Sequence, residues 1–497
     1  MWIATRDEVR KFESQTVQMR EGLSEAPQDQ LARLMDDAGQ AVFEELLTGK
    51  VAFLCGKGGN GGDGWVAARL AHQAGRDVCV YSVYPEDELD GLCGRMMRLA
   101  REAGVRCSFG QSPDHLMDAD CVVDALLGIG ATRAPEGEVR IAIDTINQSD
   151  KRVISIDVPS GVDCDTGKVF GNAVLATKTV VLGVAKPYLF QSEGMLLAGD
   201  WVLREIGLHV EETQAHINLP EYLIPILPQR KLDSHKGTNG RLLIVAGSRQ
   251  YRGAAVLTAL AAARVGAGLV TVASIPCVLE AVAAAVPEAT FIELPESDGV
   301  ISPGAVLPNE KWAAAVFGPG LGKSECLGRL WSSWTTVPAV LDGDALNFIA
   351  RGSQPPRSEC VLTPHPGEFA RLMESTTDEI QAERFRFADK ARRKFGKTVI
   401  LKGPYSIAAT PERPLVVNST GNPGMASAGM GDVLSGVIGG LISQGCTPHE
   451  AACLGMHLHG LAGDICAEEI GEIGYLATDV ANALPRARAK LLSCADA

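Results

Sequence analysis

The sequence predicts two α/β domains, each built on a mainly parallel sheet. Three observations carry this prediction. A chain of 497 residues is long for a single hydrophobic core. In both halves, apolar runs that end in glycine-rich or polar loops alternate with segments of helical period. Between the halves, the stretch HVEETQAHINLPEYLIPILPQRKLDSHKG carries three prolines and little periodicity. The boundary is therefore expected near residues 210 to 230, with one domain over 1–215 and a second over 225–497.

Taken in order, VAFLCGKGGNGGDGWVAARLAHQAG, from Val51, reads as strand, glycine loop, helix and turn. CVVDALLGIGATR and VISIDVPSGVD read as further strands that end in polar loops. From about Gly240, RLLIVAGS opens a second series of strands and helices that runs to the C-terminus. The longest apolar stretch, AAVLTALAAARVGAGLVTVA, is broken by Arg264 and two glycines, so it reads as a helix followed by a strand rather than a membrane span. Ligand sites of open parallel sheets lie at the C-terminal ends of the strands. Function is expected in those loops.

Composition narrows the class. Hydrophobic residues make up 46% and charged residues 21%, which is ordinary globular usage. A formal charge of −14 argues against nucleic acid or an anionic membrane surface as partner, because both require a basic footprint. Small anions remain open as ligands if backbone donors hold them. Thirteen cysteines without a CxxC pair fit reduced thiols. The first residues, MWIATRDEVRK, have no apolar signal core. A cytoplasmic address is expected.

The stretch NSTGNPGMASAGMGDVLSGVIGGLISQG, from Asn418, puts one aspartate between a glycine-rich loop and an apolar helical segment. A helix start leaves N–H groups unpaired and carries partial positive charge, so such junctions receive anions. Asp432 is read either as a helix cap or as a working carboxylate beside an anion site. Other motifs are weaker. Gly56, Gly58 and Gly61 have dinucleotide-loop spacing, but no acidic residue closes a second strand at the expected distance. FGPGLGKS departs from a P-loop at its first glycine and at Pro319. His457 and His459, two apart, point to different faces of a helix, so a structural role is favoured over a metal site.

In the second half HKGTNGRLLIVAGS, RGAAVLTALAAARVGAGLV, FGPGLG, VLDGDALN, LTPHPGEF, VILKG and the Asn418 stretch occur in one order. Together they resemble the NAD(P)H-hydrate dehydratases of the ribokinase-like superfamily, over nearly all of residues 230 to 497. In the first half LMDDAG, GKGGNGGDGWVAARLA, VVDALLGIGATR and SIDVPSGVD resemble the NAD(P)H-hydrate epimerases, which have a Rossmann-like fold. The resemblance implies a nicotinamide repair activity on NADHX and NADPHX. The first half would interconvert the R and S hydrates. The second would phosphorylate the hydroxyl of the S form from ADP or ATP, with Mg2+, and eliminate it.

The same resemblance implies the site residues. Asp432 matches the base. Ala254, Gly320, Gly322 and His365 match substrate contacts, although a proline-flanked loop histidine has a structural reading too. Lys402, Gly403, Pro404, Tyr405 and Ser406, with Gly431, match the nucleotide segment. In the first half Asn60, Asp124 and Ser160 match ligands of a monovalent cation, normally K+. Substrate loops match Gly59, Asn60, Gly61, Gly62 and Asp63, then Gly128, Ile129, Gly130, Ala131, Thr132, Arg133 and Ala134. Asp157 matches a further substrate contact and is the candidate catalytic carboxylate; as bare residues, Asp63 would read as a cap and Asp157 as a turn residue before Pro159. Gly59 departs from the family, which usually has asparagine there.

Two other classes stay open at this level. The second half could be a small-molecule kinase, whose phosphorylated product would accumulate. The first half could be a binding module that holds the hydrate without interconverting its epimers. NADH against NADPH and homo-oligomerisation are left open, and of the two nucleotides the resemblance favours ADP over ATP.

Overall fold

The computed structural model describes residues 1–20, 27–110, 118–332 and 334–494. They divide into two compact units, Met1–Ala215 and His216–Ala497. The second unit begins upstream of residue 225: Leu223 and Leu227 lie in its core, and Asn218 donates to the Cys453 carbonyl at 2.8 Å.

The first unit is a Rossmann-like domain. Its strands are β1 (Val51–Cys55), β2 (Val78–Ser82), β3 (Arg106–Phe109), β4 (Cys121–Ala125), β5 (Arg152–Ile156), β6 (Lys178–Leu182) and β7 (Asp200–Arg204). They form a parallel sheet of seven strands in the order β3-β2-β1-β4-β5-β6-β7. Strand order reverses between β1 and β4, where a doubly wound sheet opens a crevice. Both strands are buried along their whole length, which is why they read as unbroken apolar runs rather than alternating ones. Phe53 packs with Trp65, Met96 and Met97 on one face, and Leu54 with Val122, Ile143 and Ile146 on the other.

The second unit is ribokinase-like. Its main strands are β8 (Arg241–Val245), β9 (Leu269–Ser274), β10 (Thr290–Glu293), β11 (Ala314–Phe317), β12 (Ala339–Leu341), β13 (Cys360–Leu362), β14 (Thr398–Leu401), β15 (Ile407–Ala409) and β16 (Leu415–Asn418). They neighbour one another in the order β16-β15-β14-β13-β12-β11-β8-β9-β10. Pairing is parallel from β14 to β10 and antiparallel between β14, β15 and β16.

The helix Met430–Ser443 crosses this sheet beside the helix Arg252–Val265. Its glycines are packing positions. A Cβ on Gly436 would stand 2.3 Å from the Thr258 carbonyl oxygen, one on Gly440 2.5 Å from Val265, and one on Gly439 2.5 Å from Val316. Glycine inside a helix costs about 1 kcal/mol each; here close approach of two helices and a strand offsets it. All thirteen cysteines are free thiols. No helix among the described residues is long and apolar enough to cross a membrane.

Candidate active sites

Four parallel strands of the second unit deliver polar residues at their C-terminal ends. After β11 come Gly318, Gly320 and Gly322, all at positive φ. Asp342 follows β12, His365 lies beyond β13, and Lys402 follows β14. Asp342 is 4% exposed, and it accepts hydrogen bonds from Lys402 Nζ at 2.9 Å, Thr363 Oγ1 at 2.9 Å and Ser435 Oγ at 2.8 Å.

Above this knot starts the helix Met430–Ser443. Gly429 takes φ 89 at the N-cap, and no side chain caps the helix, so the capping reading of Asp432 fails. Asp432 lies in the first turn. Burial, then the charge of Asp342, push its carboxyl up to about 7 against the pull of Lys402. Gly431 leaves the approach open: a Cβ there would stand 3.0 Å from Lys402 Nζ.

His365 is half exposed and begins the helix Pro366–Met373. Its Nδ1 accepts from Gly367 N at 3.1 Å, so Nε2 carries the proton. Glu368 reaches back to His365 N at 2.9 Å and closes a capping box. Burial pushes the Glu368 carboxyl up to about 7. Gly320 packs on Ala254: a Cβ on this glycine would stand 2.8 Å from that of Ala254, which brings these two predicted residues together. Gly322 N donates to Asp344 Oδ2 at 2.7 Å.

The segment Lys402–Ser406 is a tight loop with Gly403 at φ 136 and Tyr405 at φ 49. Ser406 Oγ closes it on the Gly403 carbonyl at 3.0 Å, and Arg384, buried beneath, donates to the Tyr405 carbonyl at 3.1 Å. His457 and His459 lie on the helix Pro448–Ile470, and burial pushes both imidazoles down to about 4. Neither belongs to a metal-ligating cluster among the described residues.

In the first unit the predicted residues collect around a cavity of about 880 Å³ at the β1/β4 switch point. Gly59, Asn60, Asp63, the run Gly128–Ala134 and Asp157 line it. Gly61 and Gly62 are not among its lining residues. Both are buried: a Cβ on Gly61 would stand 2.0 Å from the Gly56 carbonyl oxygen, and one on Gly62 2.4 Å from Met35. Asp63 is not a cap, because Gly58 holds the N-cap of the helix Gly59–Gln73.

Asn60, Asp124 and Ser160 meet beneath the cavity. Asp124 is fully buried and accepts from Ser155 Oγ at 2.8 Å, Ser160 N at 2.9 Å and Ser160 Oγ at 2.5 Å. Asn60 Nδ2 donates to the Leu127 carbonyl at 2.9 Å. Among the described residues Asp124 has no cationic partner, and burial raises its carboxyl pKa. A buried carboxylate that has hydrogen bonds but no cationic partner among the described residues suits a hard monovalent cation.

Asp157 sits at φ 63 with its carbonyl fixed by Tyr188 OH at 2.7 Å. Its Oδ1 accepts from Leu182 N at 3.0 Å and from Lys186 Nζ, which is 1% exposed. Arg6 holds the cavity loop through the Ala131 carbonyl at 2.9 Å and the Ile129 carbonyl at 2.5 Å, and it pairs with Asp163 at 3.0 Å. Arg6 thus satisfies the acidic cluster of Asp163 and Asp165, its guanidinium pairing with Asp163 and its backbone N–H donating to Asp165 Oδ1 at 2.7 Å.

Comparison with known proteins follows the two units. Residues 242–486 match the NAD(P)H-hydrate dehydratase family, and residues 31–188 match the YjeF-related protein N-terminus family. The bifunctional NAD(P)H-hydrate repair enzyme Nnr of Coxiella burnetii is 37% identical over 466 residues, covering 90% of this chain and 93% of that protein. This chain belongs to the bifunctional NAD(P)H-hydrate repair enzymes. The Escherichia coli K12 member is 34% identical over 501 residues, 98% of this chain and 93% of its own length. Among solved structures, the ADP/ATP-dependent NAD(P)H-hydrate dehydratase of Bacillus subtilis, co-crystallised with ATP/Mg2+, matches with 31% identity and a TM-score of 0.51. It covers 55% of this chain and 98% of that one.

Sequence reasoning on this repair enzyme missed Asp342, Glu368, Arg6 and Lys186. Asp342 had a usable signal, a carboxylate directly after an apolar strand. Arg6 and Lys186 had none, since each acts on residues far along the chain.

Proposed function

We propose that the first unit interconverts the R and S hydrates of NADH and NADPH, and that the second dehydrates the S form at the expense of ADP or ATP. The observation that carries the second activity is Asp432, a carboxyl titrating at about 7 in the first turn of an uncapped helix, beside the Lys402–Asp342 pair. A base needs a pKa near working pH and must stand within reach of the proton it takes. The unpaired N–H groups of the helix start supply donors for the charge that develops on a transferred phosphoryl group.

In this reading Asp432 takes the proton of the carbon 6 hydroxyl as its oxygen attacks the terminal phosphorus. The nucleotide leaves one phosphoryl group shorter. The C6–O bond then breaks with phosphate as leaving group, and loss of a ring proton restores the reduced nicotinamide. Ala254, Gly320, Gly322 and His365 hold the substrate, and Lys402 to Ser406 with Gly431 hold the nucleotide. Magnesium would be held by the nucleotide phosphates and would neutralise part of their charge. Asp342 is already engaged by Lys402, Thr363 and Ser435, so no residue of the chain is assigned to the metal.

In the first unit Asp157 is the catalytic carboxylate, and the run Gly128–Ala134 with Gly59, Asn60 and Asp63 holds the hydrate. Asn60, Asp124 and Ser160 would hold K+, whose charge would balance the buried Asp124. The test supplies hydrated NADH with ADP or with ATP and follows the return of reduced nicotinamide absorbance. Accumulation of a stable phosphorylated product would favour a kinase.

A further inference from the structure

Three carboxyl groups of the first unit face a single buried lysine. Asp63, on the first turns of the helix Gly59–Gln73, Asp157 after β5, and Glu13 of the helix Arg6–Arg20 all line the cavity, and so does Lys186. Asp157 is tied by one oxygen only: Oδ1 takes Lys186 and Leu182 N, whereas Oδ2 makes no hydrogen bond among the described residues. Lys186 is fixed in turn by the Leu182 carbonyl at 2.8 Å. The Asp63 carboxyl has neither hydrogen bond nor ion pair among the described residues.

Charge counting separates the roles. One ammonium faces three carboxyls, so full ionisation is opposed by mutual repulsion. Asp157 holds the cation, and burial together with Asp157 and Glu13 raises the Asp63 pKa well above its ordinary value. The other groups that act on Asp63 and its neighbours are few. Arg10 flanks Glu13, the Cys93 thiol lies near Asp63, and the Tyr188 hydroxyl is spent on the Asp157 carbonyl.

We propose that epimerisation runs on one proton shared by Asp63 and Asp157. Lys186 is the positioning residue that holds Asp157 by one oxygen and leaves the other to the substrate. This rests on the reading of the first unit as the epimerase. Asp63 gives its proton to the carbon 6 hydroxyl; the C6–O bond breaks with its electron pair leaving as water, and the ring nitrogen pair forms C6=N1. A water on the opposite face then attacks carbon 6 and yields its proton to Asp157, and the nitrogen regains its pair. The proton has passed from Asp63 to Asp157, so the reverse inversion starts with the roles exchanged. Two carboxyls in unlike surroundings, one bound to Lys186 and one without a hydrogen bond among the described residues, are suited to such an exchange.

The test uses the full-length protein and pure S hydrate without nucleotide, and measures the appearance of R by separation of the epimers. Asp63→Asn should slow interconversion by about a hundredfold while dehydration of the S form with nucleotide is unchanged. Lys186→Met should lower kcat for epimerisation by about tenfold or more with KM nearly unchanged, because Asp157 stays in the cavity but loses the contact that holds its Oδ1 and turns Oδ2 to the substrate. A rate within threefold of wild type in Asp63→Asn, or an unchanged kcat in Lys186→Met, overturns the shared-proton pair. Asp63→Asn keeps the shape of the side chain, so it stays decisive even if Lys186→Met folds poorly. If wild-type protein fails to produce R, the epimerase reading itself falls.

Discussion

Lys402 and Asp342 form a 2.9 Å ion pair across the end of β13, with side chains 16% and 5% exposed. The lysine is therefore anchored by its own carboxylate before any phosphate arrives. Asp342, Glu368 and Asp432 all act on this one cation. Ionising all three carboxyls is opposed, and the two without a direct Lys402 contact, Glu368 and Asp432, titrate at about 7.

If Asp432 is the base, Asp432→Asn lowers dehydration by about a hundredfold or more and leaves nucleotide binding intact. In the wild type the rate rises with pH through about 7, as the carboxyl ionises. Single-turnover rates from pH 5.5 to 8.5, roughly the span that brackets such a group, together with nucleotide titrations, decide it. Near-normal turnover in the variant would remove Asp432 from the chemistry.

The same substitution affects stability with the opposite sign. A carboxyl raised from about 4 to about 7 in the fold binds an extra proton in the folded state between those values. Its stabilising contribution is complete below the unfolded pKa and is lost as pH rises through about 7. Asp432→Asn should therefore raise the Tm of the second unit at pH 8, with little effect at pH 4. Thermal melts at the two pH values measure this, and a lowered Tm at pH 8 would make Asp432 a structural group.

Arg6 binds two carbonyls of the cavity loop, those of Ile129 and Ala131. Losing those charged hydrogen bonds is worth about 1.5–3 kcal/mol, so Arg6→Ala should weaken kcat/KM for epimerisation by roughly tenfold or more. Dehydration of pure S hydrate by the same variant should match wild type. A parallel loss in both reactions would mean global destabilisation.

Gly59 lines the cavity and faces open space: a Cβ added there would meet no atom within 4 Å. Gly59→Asn restores the residue usual in the family, and its Cβ meets no neighbouring atom. It should fold normally and lower the KM for epimerisation; an unchanged or higher KM would show that the side chain makes no substrate contact here.

Replacing K+ in the buffer by a large organic cation should split restoration of a mixed R and S hydrate into two phases. The S fraction is cleared quickly, and the R fraction follows at the rate of spontaneous epimerisation. Asp124→Asn should give the same course with K+ present. A single fast phase in both cases would leave Asn60, Asp124 and Ser160 without a cation.

The sequence by itself determined the two α/β units, because strand runs such as VAFLC and RLLIV and the glycine loops after them are local signals. It also singled out Asp432, His365 and Lys402, which sit where a strand ends or a helix begins. Tertiary structure decided the rest. The glycines of VLSGVIGGLI suggest backbone freedom when read alone, yet Gly436 and Gly440 are helix-packing contacts whose partners, Thr258 and Val265, lie far earlier in the chain. Gly61 and Gly62 turn inward against Gly56 and Met35, although their neighbours Gly59, Asn60 and Asp63 face the cavity. Glu368 and Lys186 look like ordinary charged residues, and Asp342 like no more than a carboxylate at a strand end, until folding removes water from around them. Only then does each carboxyl depend on the one lysine that the packing brings within reach, and no local spacing encodes that meeting.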